Sequence, residues 1–143
     1  MSEGFEVVEV VDRWLWDNLT GDATLTALTG GRITGDDFPT EERNPIVTWE
    51  MSSTRDILGI AGQRIGVHAI YTVKAIGEGF SYGALLPIAN RIDELLGGAS
   101  GVGAATPHGH LECHRERVIR YPEGQRGAPF RHLGAMYRIL VTT

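Results

Sequence analysis

Two residue types are nearly missing from this chain: cysteine occurs once, at Cys113, and lysine once, at Lys74. A single thiol excludes an internal disulfide and fits a reducing compartment. With lysine so scarce, arginine is almost the only cation, and 13 cationic side chains stand against 18 acidic ones. Tight, sequence-independent nucleic-acid binding needs cations clustered on phosphates, and this balance disfavours it. No run of about 18 apolar residues occurs, so no membrane-spanning helix is expected. The first residues, Met1-Ser2-Glu3-Gly4-Phe5-Glu6, are acidic and lack a basic stretch followed by an apolar one, so no secretory signal is expected either.

What remains is an ordinary globular composition, 42% hydrophobic and 22% charged, in a chain of 143 residues. That length fits one domain, spanning 1–143, with a sizeable core. The charge is uneven. Residues 1–44 hold ten acidic and three basic side chains, whereas 45–143 hold eight acidic and ten basic. The 19 glycines fall mostly where turns are expected.

Apolar spacing predicts a helix over Phe5 to Leu19, with Val8, Val11, Leu15 and Leu19 on its inner stripe. Trp14 and Trp16 do not share one narrow stripe, so one of them should meet another element or another subunit. Asp22 reads as the N-cap of a short helix, Ala23 to Leu28, ended by Gly30-Gly31. Arg32 to Asn44 reads as loop. Ile46 to Met51 alternates as a strand, residues 52–63 read as a hairpin connection, and Arg64 to Ile76 is the return strand. Tyr82 to Leu96 is the second long helix, with Pro87 in its first turns where a missing amide is tolerated. A small-residue loop runs from Gly97 to Gly109. Two long strands, Leu111 to Tyr121 and Phe130 to Val141, close the sequence around the turn 122–129. The order predicts an α+β fold: a largely antiparallel sheet of four or more strands, two main helices on one face and one short extra helix.

Candidate chemistry is sparse. His108, His110, Cys113 and His114 with Glu112 offer zinc-type ligands. On a strand, however, His110 and His114 stand roughly 13 Å apart, so only His108 and His110 could pair, with distant partners. A polar strand face with Cys113 turned into the core is the simpler expectation. The glycine-rich stretch Gly101 to Thr106 follows a helix and precedes no lysine, which excludes a phosphate-binding loop. No serine-nucleophile elbow is expected, and a buried Cys113 would be unreactive. Arg115, Arg117, Arg120, Arg126, Arg131 and Arg138 stand against Glu112, Glu116 and Glu123, which reads either as a basic strip for nucleic acid or, the favoured reading, as mixed charge for cross-strand pairs or an intersubunit contact. Ile57, Leu58 and Ile60 in a glycine-flanked loop would be exposed on an isolated subunit, and exposed apolar tips mark contact surfaces.

The stretches Leu25 to Ile33, Asn44 to Val47, Ile88 to Leu96, Cys113 to Arg117 with Tyr121-Pro122-Glu123, and Arg131 to Arg138 together resemble the tail completion, or tail terminator, proteins of long-tailed bacteriophages and related tail-like particles. The likeness runs from about Leu15 to Val141 and lies in the order of pieces. It implies a virion protein, assembled in the host cytoplasm, that forms a ring, usually sixfold, on the head-proximal end of a tail tube. Its partners would be copies of itself, the major tail tube protein and a head–neck connector or stopper. DNA would pass through the lumen without specific binding. The resemblance implies no catalysis, cofactor, metal or membrane contact. Exposure nominates Arg55, Asp56, Ile57, Leu58, Ile60 and Arg126 as subunit or tube contacts. The alternatives are another connector or stopper of the neck, or a metal-dependent enzyme built on His108 and His110.

Overall fold

The computed structural model describes residues 3–35, 45–98, 100–102, 110–124 and 129–142. Helix α1 spans Glu3–Thr20 and α2 spans Ala23–Thr29. Strands β1 (Ile33–Gly35), β2 (Ile46–Leu58) and β3 (Arg64–Glu78) follow, then helix α3 (Tyr82–Leu96). Strands β4 (Ser100–Val102), β5 (His110–Glu123) and β6 (Phe130–Thr142) complete the order.

All six strands form one sheet, ordered β1-β2-β3-β6-β5-β4. Every pairing is antiparallel except that of β1 with β2. The fold is therefore α+β, with the helices on one side of the sheet. The alternate apolar residues of β3 and β6 explain why. Val67, Ala69, Tyr71, Val73 and Ala75 point to the helices, as do Leu133, Ala135, Tyr137, Ile139 and Val141. Against them lie Val11, Leu15 and Leu19 of α1 and Leu85, Ile88, Ile92 and Leu96 of α3. Burial on that one face supplies most of the fold's driving force, at roughly 25 cal/mol per Å² of apolar surface.

Local signals end the helices. The Asp22 carboxylate accepts from the Leu25 amide at 2.8 Å, and Gly30 adopts the left-handed conformation (φ 66°) that closes α2. Asp22 also receives two hydrogen bonds from Arg91, at 2.9 and 2.6 Å, so one carboxylate caps α2 and ties it to α3. Ser81 caps α3 by accepting from the Ala84 amide at 3.1 Å.

Three expectations are corrected. Residues 52–58 are strand, because β2 continues past a bulge at Ser52 as far as Leu58. The bulge breaks the two-residue alternation, and beyond it β2 passes the helices and is exposed on both faces, so no apolar period survives. The true connection is only 59–63. The loops assigned to 32–44 and 97–109 also contain the short edge strands β1 and β4. Three-residue strands are too short to show a period.

Candidate assembly surface

With the helices covering one side, the other side of the sheet is open. Its residues are a mixture: Ile70, Met136 and Leu140 beside Arg138 and His68. At the end nearest Glu78 it holds a packed polar cluster. Lys74 is only 8% exposed, and its Nζ donates to the Tyr121 hydroxyl at 2.8 Å. The Tyr121 ring stacks on His132 with centroids 4.3 Å apart, and His132 Nε2 lies 3.1 Å from Glu123 Oε1. Burial, reinforced by the Lys74 charge, holds His132 below the usual imidazole range, and Glu123 partly opposes that shift. Gly134 permits this close packing. A Cβ there would run into the Val73 carbonyl oxygen and the Lys74 backbone, so any larger residue would force β3 and β6 apart.

At the other end the β2–β3 hairpin projects beyond the helices. Of the nominated contacts, Ile60 is fully exposed at its tip and Leu58 is 61% exposed. Ile57 is half-buried beside Gly66. Asp56 pairs with Arg64 at 3.2 Å, which fixes the arm's own two strands together. Arg55 lies opposite His68 and lines an open groove of about 550 Å³ with Ile70, Glu116 and Arg138. These five therefore cluster on one arm. Arg126 lies outside the described residues.

The arginine-rich end of the chain behaves largely as cross-strand and helix-to-sheet ties. Arg138 pairs with Glu116 across β6 and β5, Arg115 reaches Asp93 at 3.3 Å, and Arg120 lies over the Tyr82 ring at 4.0 Å. Arg131 donates to the Phe80 carbonyl at 2.9 Å. Trp14 is buried, whereas Trp16 is exposed and meets Trp49 edge-on at 6.4 Å.

Cys113 is fully buried on the helix side, and burial pushes its thiol up to about 12, so it is no nucleophile at neutral pH. His108 lies outside the described residues, as does the side chain of His110. Among the described residues no group of three metal-ligating side chains converges. The expectation of no serine elbow overlooked one stretch: Gly79-Phe80-Ser81-Tyr82-Gly83 does carry the Gly-x-Ser-x-Gly spacing, between β3 and α3. Ser81 nonetheless has an ordinary extended backbone (φ -74°, ψ 161°) with its hydroxyl engaged as a helix cap. A nucleophile elbow needs a sharp, strained turn and a histidine partner. Ser81 has no histidine among its described hydrogen-bond partners. Here the glycines serve the turn and the helix start.

No protein-family model matches this sequence, and no curated protein resembles it in sequence. Among solved structures, the fold is similar to a chain from the virion of a native gene transfer agent particle, with a TM-score of 0.69 over 90% of this chain and 92% of that one. Sequence identity between the two is 17%, so what they share is the fold.

Proposed function

We propose that this chain is a structural virion protein that assembles with copies of itself into a ring, sixfold in the arrangement that the tail-terminator resemblance suggests. The ring caps the head-proximal end of a tail tube, stops its polymerisation and joins the tail to the head–neck complex. The observation that carries this reading is the near full-length likeness of fold to a chain of a gene transfer agent virion particle. The exposed arm supports it: Leu58 and Ile60 present apolar side chains on the end of a hairpin where an isolated subunit gains nothing from them. Its partners are further copies, the tail tube protein and a connector or stopper, and DNA crosses the lumen without being held. The reading calls for no cofactor and no catalysis.

Two measurements test it. Particles lacking the protein should carry tails of uncontrolled length or tails without heads when imaged by electron microscopy. The purified chain should form rings, or decorate one end of isolated tubes, in native mass spectrometry and negative stain. Normal tails joined to filled heads in its absence would end the proposal, as would a chain that stays monomeric at every concentration and never binds tubes. Binding to a portal-side adaptor in place of the tube would reassign it to the neck connectors.

A further inference from the structure

We infer that neighbouring copies join edge to edge, the free part of β2 in one copy pairing antiparallel with the free part of β5 in the next. This rests on the ring reading above and adds which strands meet. Strand β1 pairs with β2 only over Val47 to Trp49, from Ile33 to Gly35, and β4 pairs with β5 only over His110 to Glu112. Among the described residues, Glu50 to Leu58 and His114 to Glu123 therefore have no strand on their outer side. Each offers a row of backbone donors and acceptors about 30 Å long, the kind of edge that templates pairing with another chain.

Direction comes first. Strands β2, β3, β6 and β5 are neighbours, each antiparallel to the next. Consequently β2 and β5 run in opposite senses. A second copy placed beside the first in the same orientation presents its β2 antiparallel to the first copy's β5, with no flip. Such a head-to-tail contact, repeated about an axis, closes into a ring.

Stagger comes second. The short strands cover opposite corners of the sheet: β1 lies beside the row of Val73, and β4 beside the row of Val67. The two free stretches are thus offset. Thr54, midway along one, shares a row with Ala69, whereas Val118, midway along the other, shares a row with Ala135 and Val73. Laying one stretch on the other requires each copy to slide by about four to six residues, even values being the ones that keep all helices on one side. At about 3.3 Å per residue that is roughly 13–20 Å, across four long strands about 19 Å wide. The implied strand tilt is about 35–46°, close to the 35–45° at which sheets close into barrels.

Charge distinguishes this pairing from β2 on β2 or β5 on β5. Helix α1, whose Asp12 accepts from the Trp49 indole on the β2 flank, carries five acidic residues and one basic. The free part of β5 carries Arg115, Arg117 and Arg120 against Glu116 and Glu123. Like-edge pairing would bring like charges together, whereas β2 against β5 brings unlike ones. On the helix side Trp16 and Met51 are exposed beside one edge, and Leu86 and Val118 beside the other.

Cysteine crosslinking tests the arrangement, because native Cys113 is buried and silent. Ser53→Cys and Ile119→Cys place thiols on the open face of the two edges, and far-UV circular dichroism confirms that each variant folds. The full chain, alone and with tail tubes, is treated with a short bismaleimide. A mixture of the two single variants should yield a covalent dimer, the double variant a ladder ending at the ring size, and each single variant alone no product. A single variant that links to itself overturns the inference in favour of a two-fold contact. Rings that form without any crosslink overturn it while leaving the ring reading intact. Absence of any assembly, with or without tubes, overturns both.

Discussion

Tyr71 and Tyr137 stand directly opposite each other on β3 and β6, both buried, and each hydroxyl reaches a different helix. Tyr71 donates to the Val8 carbonyl of α1 at 3.3 Å, and Tyr137 donates to Asp93 of α3 at 3.0 Å. The row they define continues to Met51 and Arg115, and a bulge follows each of these residues on the outer strands. One row of the sheet thus fixes both helices and marks where the sheet bends.

The two hydroxyls should not be worth the same. Tyr137 bonds a carboxylate, and burial, with the Asp93 charge beside it, pushes its phenol well above the ordinary range. Hydrogen bonds to charged groups contribute about 1.5–3 kcal/mol and neutral ones about 0.5–1.5 kcal/mol. Because Arg115 still neutralises Asp93, Tyr137→Phe should cost about 1.5 kcal/mol and Tyr71→Phe about 0.5–1 kcal/mol. Urea unfolding should show both as lower midpoints with unchanged slope. A larger effect from Tyr71→Phe would reverse this ranking.

Asp22 gives an acid dependence. The hydrogen bond from Arg91 is the main reason its carboxyl titrates below 3.8, assisted by the Leu25 amide and opposed by burial. A folded-state value below the unfolded one means stability that is complete above about pH 4 and disappears as pH falls through the folded value. Asp22→Asn keeps the cap but removes the ion pair, so its stability should fall less steeply than the wild type's below pH 4. Asp22→Ala also removes the cap and should lose about 1 kcal/mol more at pH 7. Thermal melts between pH 7 and pH 2.5 give both results.

His132 works in the adjoining window. Burial and Lys74 lower its value in the folded state from 6.5. As pH drops below about 6.5 the unfolded chain gains a proton that the folded chain refuses, so stability declines until the lower folded value is reached. His132→Phe keeps a ring for Tyr121 to stack on and should flatten the stability profile between pH 7 and pH 5. An unchanged slope would show that Glu123 offsets the burial completely.

Long, strictly alternating elements were readable from the amino acids because each has one face in the core. Helix α3 matches its expected bounds, Tyr82 to Leu96, and Asp22 and Gly30 punctuate α2 as expected. Strands β1 and β4 escaped because three residues carry no period, and β2 beyond Ser52 escaped because it is solvated on both faces. The exposed tip was visible as apolar residues between glycines. The open edges were not, since an edge is a property of strand order, and strand order leaves no local mark on the chain. Asp93 shows the same limit: on its helix it reads as a water-facing charge, yet it receives Tyr137 from β6 and Arg115 from β5.

The arm itself offers the cleanest separation of folding from assembly. Ile60 is fully exposed and Leu58 largely so, and neither belongs to the core cluster. Replacing an exposed apolar side chain away from any special feature changes stability by about 0.5 kcal/mol or less. A charge at the same place in a desolvated contact between subunits costs several kcal/mol. Ile60→Asp should therefore unfold at the wild-type urea midpoint yet fail to form rings or to bind tubes. Ile60→Leu should do both as the wild type does. If Ile60→Asp assembles normally, the tip lies outside every contact, and the apolar residues at the end of the hairpin have some other use.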